Sequence, residues 1–419
     1  MTGFILLALY VALFVGAMLL VGALTKGRAR NDFTSLKTVT FGDESAVRPN
    51  RWASVISVVV IFQLWGAFTG SVIAPFHVPG PFLGDSSFTY TAENASGQTD
   101  EGEVFFRVHG FGETVEAPVI EPGDGFAKND VTTITAYRSE LLRVTENDGD
   151  DTRVTQVNGQ AIAPGESVDV GDATVTMSRR GSLSVTPNQG LQMESIWLPA
   201  PEEVMASFIE IATDGYQNFT LAEHLGWSLI RVLAGFALGA MVGIPLGYAM
   251  GLSGWFRGWF DPIVEFMRPV PPLALIPLVI IWFGIWESGK IVLLFLAALW
   301  IMAIAARAGV SGVNITKVHA AYSLGASKAQ ILFHVIVPNS LPEIFTGARV
   351  AMGVCWGTVV ASELVAAQKG IGMMIIAASK FQQTYIVLMG IILIGIVGYG
   401  MDILMRKAEN WLVPWKGRS

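Results

Sequence analysis

Apolar residues come in long unbroken runs at both ends of the chain and in short alternations in its middle. The first run, Phe4 to Leu24, is followed at once by Lys26, Arg28 and Arg30. A bilayer core about 30 Å thick needs about 20 apolar residues in a helix, so this run predicts a membrane span. A signal peptide would carry its positive charge before the apolar run and end at a small-residue cleavage site. Here the charge follows the run. A second run, Trp52 to Ala74, predicts a return crossing. Downstream, Leu225 to Leu252, Pro272 to Trp286 (interrupted by Pro277), Ile291 to Val310, Phe345 to Val365 and Tyr385 to Leu404 predict the remaining spans. Trp255 to Asp261 reads as an interfacial stretch.

Between these blocks the pattern changes. Thr89 to Pro187 is rich in Thr, Val, Gly and Asp and alternates with period two, as in Val104-Phe-Phe-Arg-Val108 and Ala173-Thr-Val-Thr-Met177. Such alternation predicts half-buried strands. Asn158-Gly159 and Asn147-Asp-Gly149 have hairpin-turn chemistry, because Asn and Gly tolerate positive φ. About eight to ten short strands, forming a small all-β sandwich or barrel, are expected. Residues 154–187 loosely resemble bacterial immunoglobulin-like or cadherin-like repeats, which speaks to fold rather than function.

Composition agrees with a polytopic membrane protein. Of 419 residues, 52% are hydrophobic and only 15% charged, with a mean hydropathy of +0.51, against about a quarter charged in soluble domains. This excludes a disordered chain and argues against a soluble enzyme. The net charge of −7 is uneven: Asp85 to Glu194 holds 19 acids and 7 bases, a net of −12, which leaves +5 elsewhere. By the positive-inside rule, residues 26–51, with Lys37, Arg48 and Arg51, are cytoplasmic. The acidic segment and the N-terminus then lie outside. Arg406, Lys407, Lys416 and Arg418 place the C-terminus inside, as seven spans require. The single cysteine, Cys355, excludes a disulfide framework within the chain, and five scattered His residues contain no HExxH, so no metal site is expected.

Four features carry chemistry. Gly235, Gly239, Gly243, Gly247 and Gly251 recur every fourth residue in one span, which clears one helix face for close approach of another backbone. A moving interface and static packing both fit, and Pro245 predicts a kink. Gly284-Ile-Trp-Glu-Ser-Gly289-Lys290 spells most of a phosphate-binding loop. It lacks the closing Ser or Thr and lies between spans rather than between a strand and a helix, so no nucleotide site is expected. Ser311 to Glu343 reads as an amphipathic helix (Val313 to Leu324), a turn at Gly325, a second helical run (Lys328 to Ile336) and breaks at Pro338 and Pro342. That is a protruding element suited to a groove on a soluble partner, or else a passive interfacial loop. Finally, charge inside a span is costly, so Arg231, Arg268, Arg307, Arg349 and Glu363 require explanation. Arg268, Arg307 and Arg349 read as snorkelling near cytoplasmic span ends. Glu363, near the outer end of its span, is a pathway or gate candidate, with Lys369 as a possible counter-charge; Arg349 is the second candidate.

His319-Ala-Ala-Tyr-Ser-Leu-Gly325-Ala-Ser, followed by Val335-Ile-Val-Pro338 and Leu341-Pro342, resembles the EAA loop of inner-membrane permeases of binding-protein-dependent ABC importers. Ala320, Ala321, Gly325, Ala326 and Pro338 fit the pattern. His319 stands where that family usually carries Glu, so the salt bridge inferred from that Glu is not carried over. Ile196-Trp-Leu-Pro-Ala-Pro-Glu, Arg268-Pro-Val-Pro-Pro-Leu-Ala-Leu-Ile-Pro, Trp282-Phe-Gly-Ile, Ala361-Ser-Glu-Leu-Val365 and Gly370-Ile-Gly372 resemble the nitrate/sulfonate/taurine/bicarbonate branch. The resemblance implies an all-α type-1 permease core over 196–414, with its coupling loop at 311–343. To this core are added an N-terminal helix and linker (1–51), a second span (52–74) and an extracytoplasmic β insert (84–194) that the family does not explain. It also implies a bacterial inner-membrane transport subunit without catalytic residues, metal or bound cofactor of its own. A cytoplasmic ATPase dimer would supply ATP and Mg, a periplasmic binding protein would deliver the substrate, and a second permease copy would complete the pathway, within membrane lipid and without nucleic acid. Sulfonates such as taurine lead as substrate, ahead of nitrate, bicarbonate and pyrimidine precursors. The insert would be a docking accessory or a structural cap. A membrane-anchored sensor would need a cytoplasmic output domain, and a secondary transporter would need paired repeats with a mid-membrane coupling site; neither pattern is evident.

Overall fold

The structure, a computed structural model, describes residues 2–25, 51–113, 115–149 and 151–415. The chain divides into two compact units, residues 1–202 and 203–419. The basic linker over 26–50 and the terminal Lys416 and Arg418, read above as cytoplasmic, lie outside the described residues.

In the first unit, α1 (Thr2–Thr25) is 24 residues long, about 36 Å at 1.5 Å per residue. The second helix, α2 (Arg51–Thr69), stops short of the Ala74 expected from hydropathy. Gly70 turns to φ +67° and the Ser71 amide donates back to Gly66 O at 3.0 Å. The outgoing and returning legs of the β segment run side by side beyond it. Phe82 N donates to Asn188 O at 2.8 Å, Leu191 N to Pro79 O at 2.7 Å and Met193 N to Phe68 O at 2.8 Å. Ser71 Oγ closes the base by donating to Glu202 Oε2 at 2.5 Å.

Between the legs, the described residues form nine strands: β1 (Gly84–Glu93), β2 (Thr99–His109), β3 (Asp130–Thr135), β4 (Glu140–Leu142), β5 (Arg153–Val157), β6 (Gln160–Ala161), β7 (Ser167–Asp169), β8 (Ala173–Met177) and β9 (Leu183–Pro187). They pair as a five-stranded sheet, β3-β2-β1-β5-β6, and a four-stranded sheet, β4-β9-β8-β7, antiparallel except for β2 with β3. Phe88, Tyr90, Val104 and Phe106 from one sheet and Val175, Met177, Leu183 and Val185 from the other fill one core, so the architecture is a sandwich. Asn158 and Gly159, at φ +46° and +71°, make the expected tight turn between β5 and β6. Asn147-Asp-Gly149 does not make a hairpin, because the chain there passes from one sheet to the other. Its side chains plug the end of the sandwich instead: Asp148 Oδ1 accepts from Lys128 N at 2.7 Å and from Tyr90 Oη at 3.0 Å, and Asn147 Nδ2 donates to Asp130 Oδ1 at 2.9 Å. Burial in this carboxylate cluster, with Asp148 nearby, pushes Asp130 up to about 6.

A helix, α3 (Pro201–Thr213), leads into the second unit, which is helical. There α4 (Leu221–Leu252) starts in a capping box of Thr220 and Glu223. It is followed by α5 (Gly254–Met267), α6 (Ile276–Phe283), α7 (Glu287–Ser311), α8 (Ile315–Ser323), α9 (Lys328–Ile331), α10 (Val337–Ala366), α11 (Ile371–Lys380) and α12 (Thr384–Leu412). Among the described residues, α4, α7, Lys328–Leu364 and α12 are long and apolar enough to cross a membrane. The pair Gly254–Met267 and Pro272–Phe283, bent by 94°, is a candidate fifth span.

Two sequence expectations change here. Pro272 to Trp286 is not a span by itself: α6 has 8 residues, about 12 Å, and the stretch read as interfacial, Trp255 to Asp261, belongs to the helix bent against it. Nor do Pro338 and Pro342 end a helix. Pro338 occupies the first turn of α10, where a missing N–H is not needed, and a π turn at Leu332–Ile336 joins α9 to α10.

The glycine stripe sets the packing. A Cβ at Gly235, Gly239, Gly243, Gly247 or Gly251 would meet Leu294, Ala298, Met302, Ala306 or Val310 of α7 respectively, always the residue 59 positions on. A constant offset means that α4 and α7 run parallel in close contact for about 24 Å. Against them α10 runs antiparallel: Gly309 faces Ser340, Ala305 faces Gly347, and Leu294 O accepts from Cys355 Sγ at 3.4 Å. The starts of α4, α7 and α11 therefore meet the end of α10 at one end of the bundle, and α8 lies at the other.

Candidate functional site

At one end of the bundle stands the predicted coupling element. Asn314 caps α8 by accepting from Thr316 N at 2.9 Å, and the helix ends at Gly325, whose φ of +80° few other residues adopt. Ser327 opens α9 with a capping box to Gln330. The helix is thus built by its own caps rather than by burial. His319, Ala320 and Gly325 are exposed, Ala321 and Ala326 half-buried, Leu324 is 89% exposed, and Tyr322 and Ile315 are also open to solvent. Among the described residues His319 has no ion-pair partner; its carbonyl accepts from Ser323 Oγ at 2.9 Å. The element is stitched to the bundle at its root. Lys317 Nζ donates to Asn339 Oδ1 at 2.8 Å, Asn339 Nδ2 to Val335 O at 2.6 Å, and Ser340 Oγ lies 2.5 Å from Tyr248 Oη of α4. Half-buried Pro338 lies between these contacts. The element is thereby tied directly to α10 and, through Ser340, to α4.

At the opposite end, Glu363 and Arg231 are each 1% exposed and form a clasp. Arg231 Nη1 donates to Glu363 Oε1 at 2.7 Å and to Lys369 O at 2.8 Å. Its Nε and Nη2 hold Glu287 in a fork at 2.6 and 2.8 Å, and Lys290 Nζ donates to Glu287 Oε1 at 2.9 Å. Glu363 also accepts from Ser228 Oγ at 2.7 Å and Gly372 N at 2.9 Å. Next to it, His224 Nε2 can only donate to Tyr216 O, at 3.1 Å. This leaves Nδ1 as acceptor for Gly370 N at 3.1 Å in the neutral ring. Gly370 itself, at φ +141°, has no room for a side chain against the Glu363 carboxylate. The buried side chains of the junction, Arg231, Glu363, Ser228, His224 and Lys290, all have partners, as burial requires, while Glu287 reaches its surface.

The structure thus corrects the partner expected for Glu363. Lys369 contributes its carbonyl to Arg231 and lays its ammonium 4.3 Å from the Trp227 ring; the charge on Glu363 is met by Arg231. Arg349 is not brought to Glu363. It lies 14 residues away on the same helix and pairs with Asp402 at 3.2 Å and Glu409 at 3.6 Å, an inter-helix tie rather than a snorkelling side chain. Arg307 likewise pairs with Asp261 and, at 2.8 Å, with Glu265. Sequence reasoning missed His224 and Ser228. Their signal was present: with Arg231 they sit at i, i+4 and i+7, and the same face continues into Gly235 and the glycine stripe. Lys290, the last residue of the phosphate-loop-like string, is a member of the clasp, and Gly284 at φ +72° caps α6.

The family of binding-protein-dependent transport system inner membrane components matches residues 235–413. The taurine transport system permease protein TauC of Escherichia coli (strain K12) is 46% identical over 223 residues, covering 53% of this chain and 81% of that protein. The putative aliphatic sulfonates transport permease protein SsuC of the same organism is 38% identical over 218 residues, covering 52% and 81%. The nitrate import permease protein NrtB of Synechocystis sp. is 32% identical over 222 residues, covering 52% and 81%.

Proposed function

The chain belongs to the permeases of binding-protein-dependent ABC importers, in the nitrate, sulfonate and taurine branch, and from that premise we propose that it forms the membrane pathway for a small sulfonate such as taurine. Two copies line the pathway, a cytoplasmic ATPase dimer supplies the work, and a periplasmic binding protein delivers the substrate. The 46% identity to a taurine permease, against 32% to a nitrate permease, favours the sulfonate. In this reading α1, α2 and the five candidate crossings of the second unit make seven, with the acidic β segment on the extracytoplasmic side. The charge asymmetry of the chain supports that orientation.

The observation that carries the proposal is α8: a capped helix with Ile315, Tyr322 and Leu324 open to solvent and its root tied to α10 and, through it, to α4. Apolar side chains on a protruding helix fit a groove on a partner. The ATPase grips α8, and nucleotide-driven closure shifts the bundle between inward and outward access by its differential affinity for the two states. Leu324→Glu tests this. Because Leu324 is 89% exposed, the variant is expected to fold with an unchanged heat-denaturation midpoint while losing co-purification with the ATPase and losing uptake. Retained co-purification would refute the docking role. Competition of taurine uptake by nitrate and bicarbonate in proteoliposomes then ranks the substrates.

A further inference from the structure

The break between α5 and α6 has no explanation in the coupling element or the clasp. Four residues, Arg268-Pro-Val-Pro271, interrupt a crossing that bends by 94°. The break lies against Leu296 and Trp300 at the middle of α7 and Val354 near the middle of α10, so it is at mid-membrane depth. Non-helical backbone at that depth does not face lipid; it is buried in protein or lines water. Arg268, Pro269 and Pro271 are exposed on the chain, and beside them is a cavity of about 250 Å³, large enough for a small organic anion.

One cation at this cavity lacks a full partner. Arg268 has only Glu265, 3.8 Å away, and that carboxylate already accepts from Arg307 at 2.8 Å. The other nearby acid, Asp261, is held by Arg307 and lies 3.7 Å from Arg257. Three arginines against two carboxylates leave one positive charge over, and of the two loosely held, Arg257 at 3.7 Å and Arg268 at 3.8 Å, it is Arg268 that lines the cavity.

We propose that the cavity at the α5–α6 break is a mid-membrane waypoint for an oxyanion of the sulfonate class, its charge met by the Arg268 guanidinium. The waypoint deepens the importer reading above and rests on it. Interrupted helices lining a midplane cavity are a general way to place polar groups along a transport path, and a guanidinium suits a flat array of oxygens.

The test reads cavity charge separately from substrate identity. In the assembled transporter in nanodiscs, with Cys355→Ala and Val354→Cys, thiol labelling is timed with an anionic sulfonatoethyl methanethiosulfonate and with its trimethylammonium counterpart. Each rate is normalised to a free thiol. An anion preference of about tenfold is expected from a cation a few ångströms away, kept by Arg268→Lys and abolished by Arg268→Gln. Equal rates, a preference indifferent to Arg268→Gln, or failure of both reagents to reach the cysteine would overturn the waypoint. Absence of taurine uptake by the unaltered transporter would remove the substrate assignment, while the labelling preference would still decide the cavity.

Discussion

Exchanging Glu363 for Gln keeps the volume of the clasp and removes its charge. The amide oxygen can replace Oε1, which takes hydrogen bonds from Arg231 and Ser228 at 2.7 Å, but the amide nitrogen then faces Gly372 N, donor against donor, where Oε2 accepted at 2.9 Å. Flipping the amide moves the conflict to Arg231. Either way one buried donor goes unsatisfied, costing about 1–3 kcal/mol, and Arg231 keeps only Glu287 as counter-charge. Breaking a buried pair costs about 3–5 kcal/mol, so about 3 kcal/mol is a fair expectation for the isosteric change. At about 2–4 °C per kcal/mol for a unit of this size, the heat-denaturation midpoint of the purified protein falls by roughly 6–12 °C. Uptake falls with it. Co-purification with the ATPase persists, because α8 is at the other end of the bundle. A thermodynamic cycle sharpens the point: Arg231→Gln, Glu363→Gln and the double variant should be strongly non-additive, since the second change removes the charge that the first left unpaired. Additive losses, or a Glu363→Gln protein as stable as the parent, would refute the clasp.

The glycine seam and the β sandwich supply two further expectations. Gly243→Ala places a Cβ 2.6 Å from Leu299 O, so α4 and α7 must part at a cost of about 1–3 kcal/mol. Gly226→Ala in the same helix meets nothing within 4 Å and should be neutral or stabilising by up to about 1 kcal/mol; equal thermal midpoints for the two would refute close packing along the seam. Asp130, pushed up to about 6 from 3.8 chiefly by burial, is an acid that the folded state prefers protonated. Its stabilising contribution is full below pH about 4 and is lost as pH rises through 6, by at most about 3 kcal/mol before solvent screening. Hydrogen-exchange protection in β1 and β3 of the whole chain should therefore be higher at pH 5 than at pH 8, and Asp130→Asn should flatten the difference.

Much of this molecule follows from local pattern. The positions of the long helices are set by apolar runs whose burial needs no knowledge of neighbours, and the strands of the sandwich by alternation. The glycines every fourth residue announced a close helix contact, and Asn314, Gly325 and Ser327 carry the turn chemistry that makes α8 protrude. Such features depend on residues within a turn or two of one another, so the sequence by itself determined them.

What only the tertiary structure decided are the meetings of residues far apart in the chain. Glu363 had a nearby cation in Lys369, yet Arg231, 132 residues away, became its partner. The constant 59-residue offset of α4 on α7 aligns the His224–Ser228–Arg231 face with Glu287, and the antiparallel return of α10 brings Glu363 to the same level. Arg268 likewise read as a snorkelling residue near a span end, because hydropathy does not reveal that Met267 and Pro272 flank a 94° bend. A one-dimensional pattern records which face of a helix is apolar or small. It does not record the register between two packed helices, and that register decides which charges meet in a buried junction.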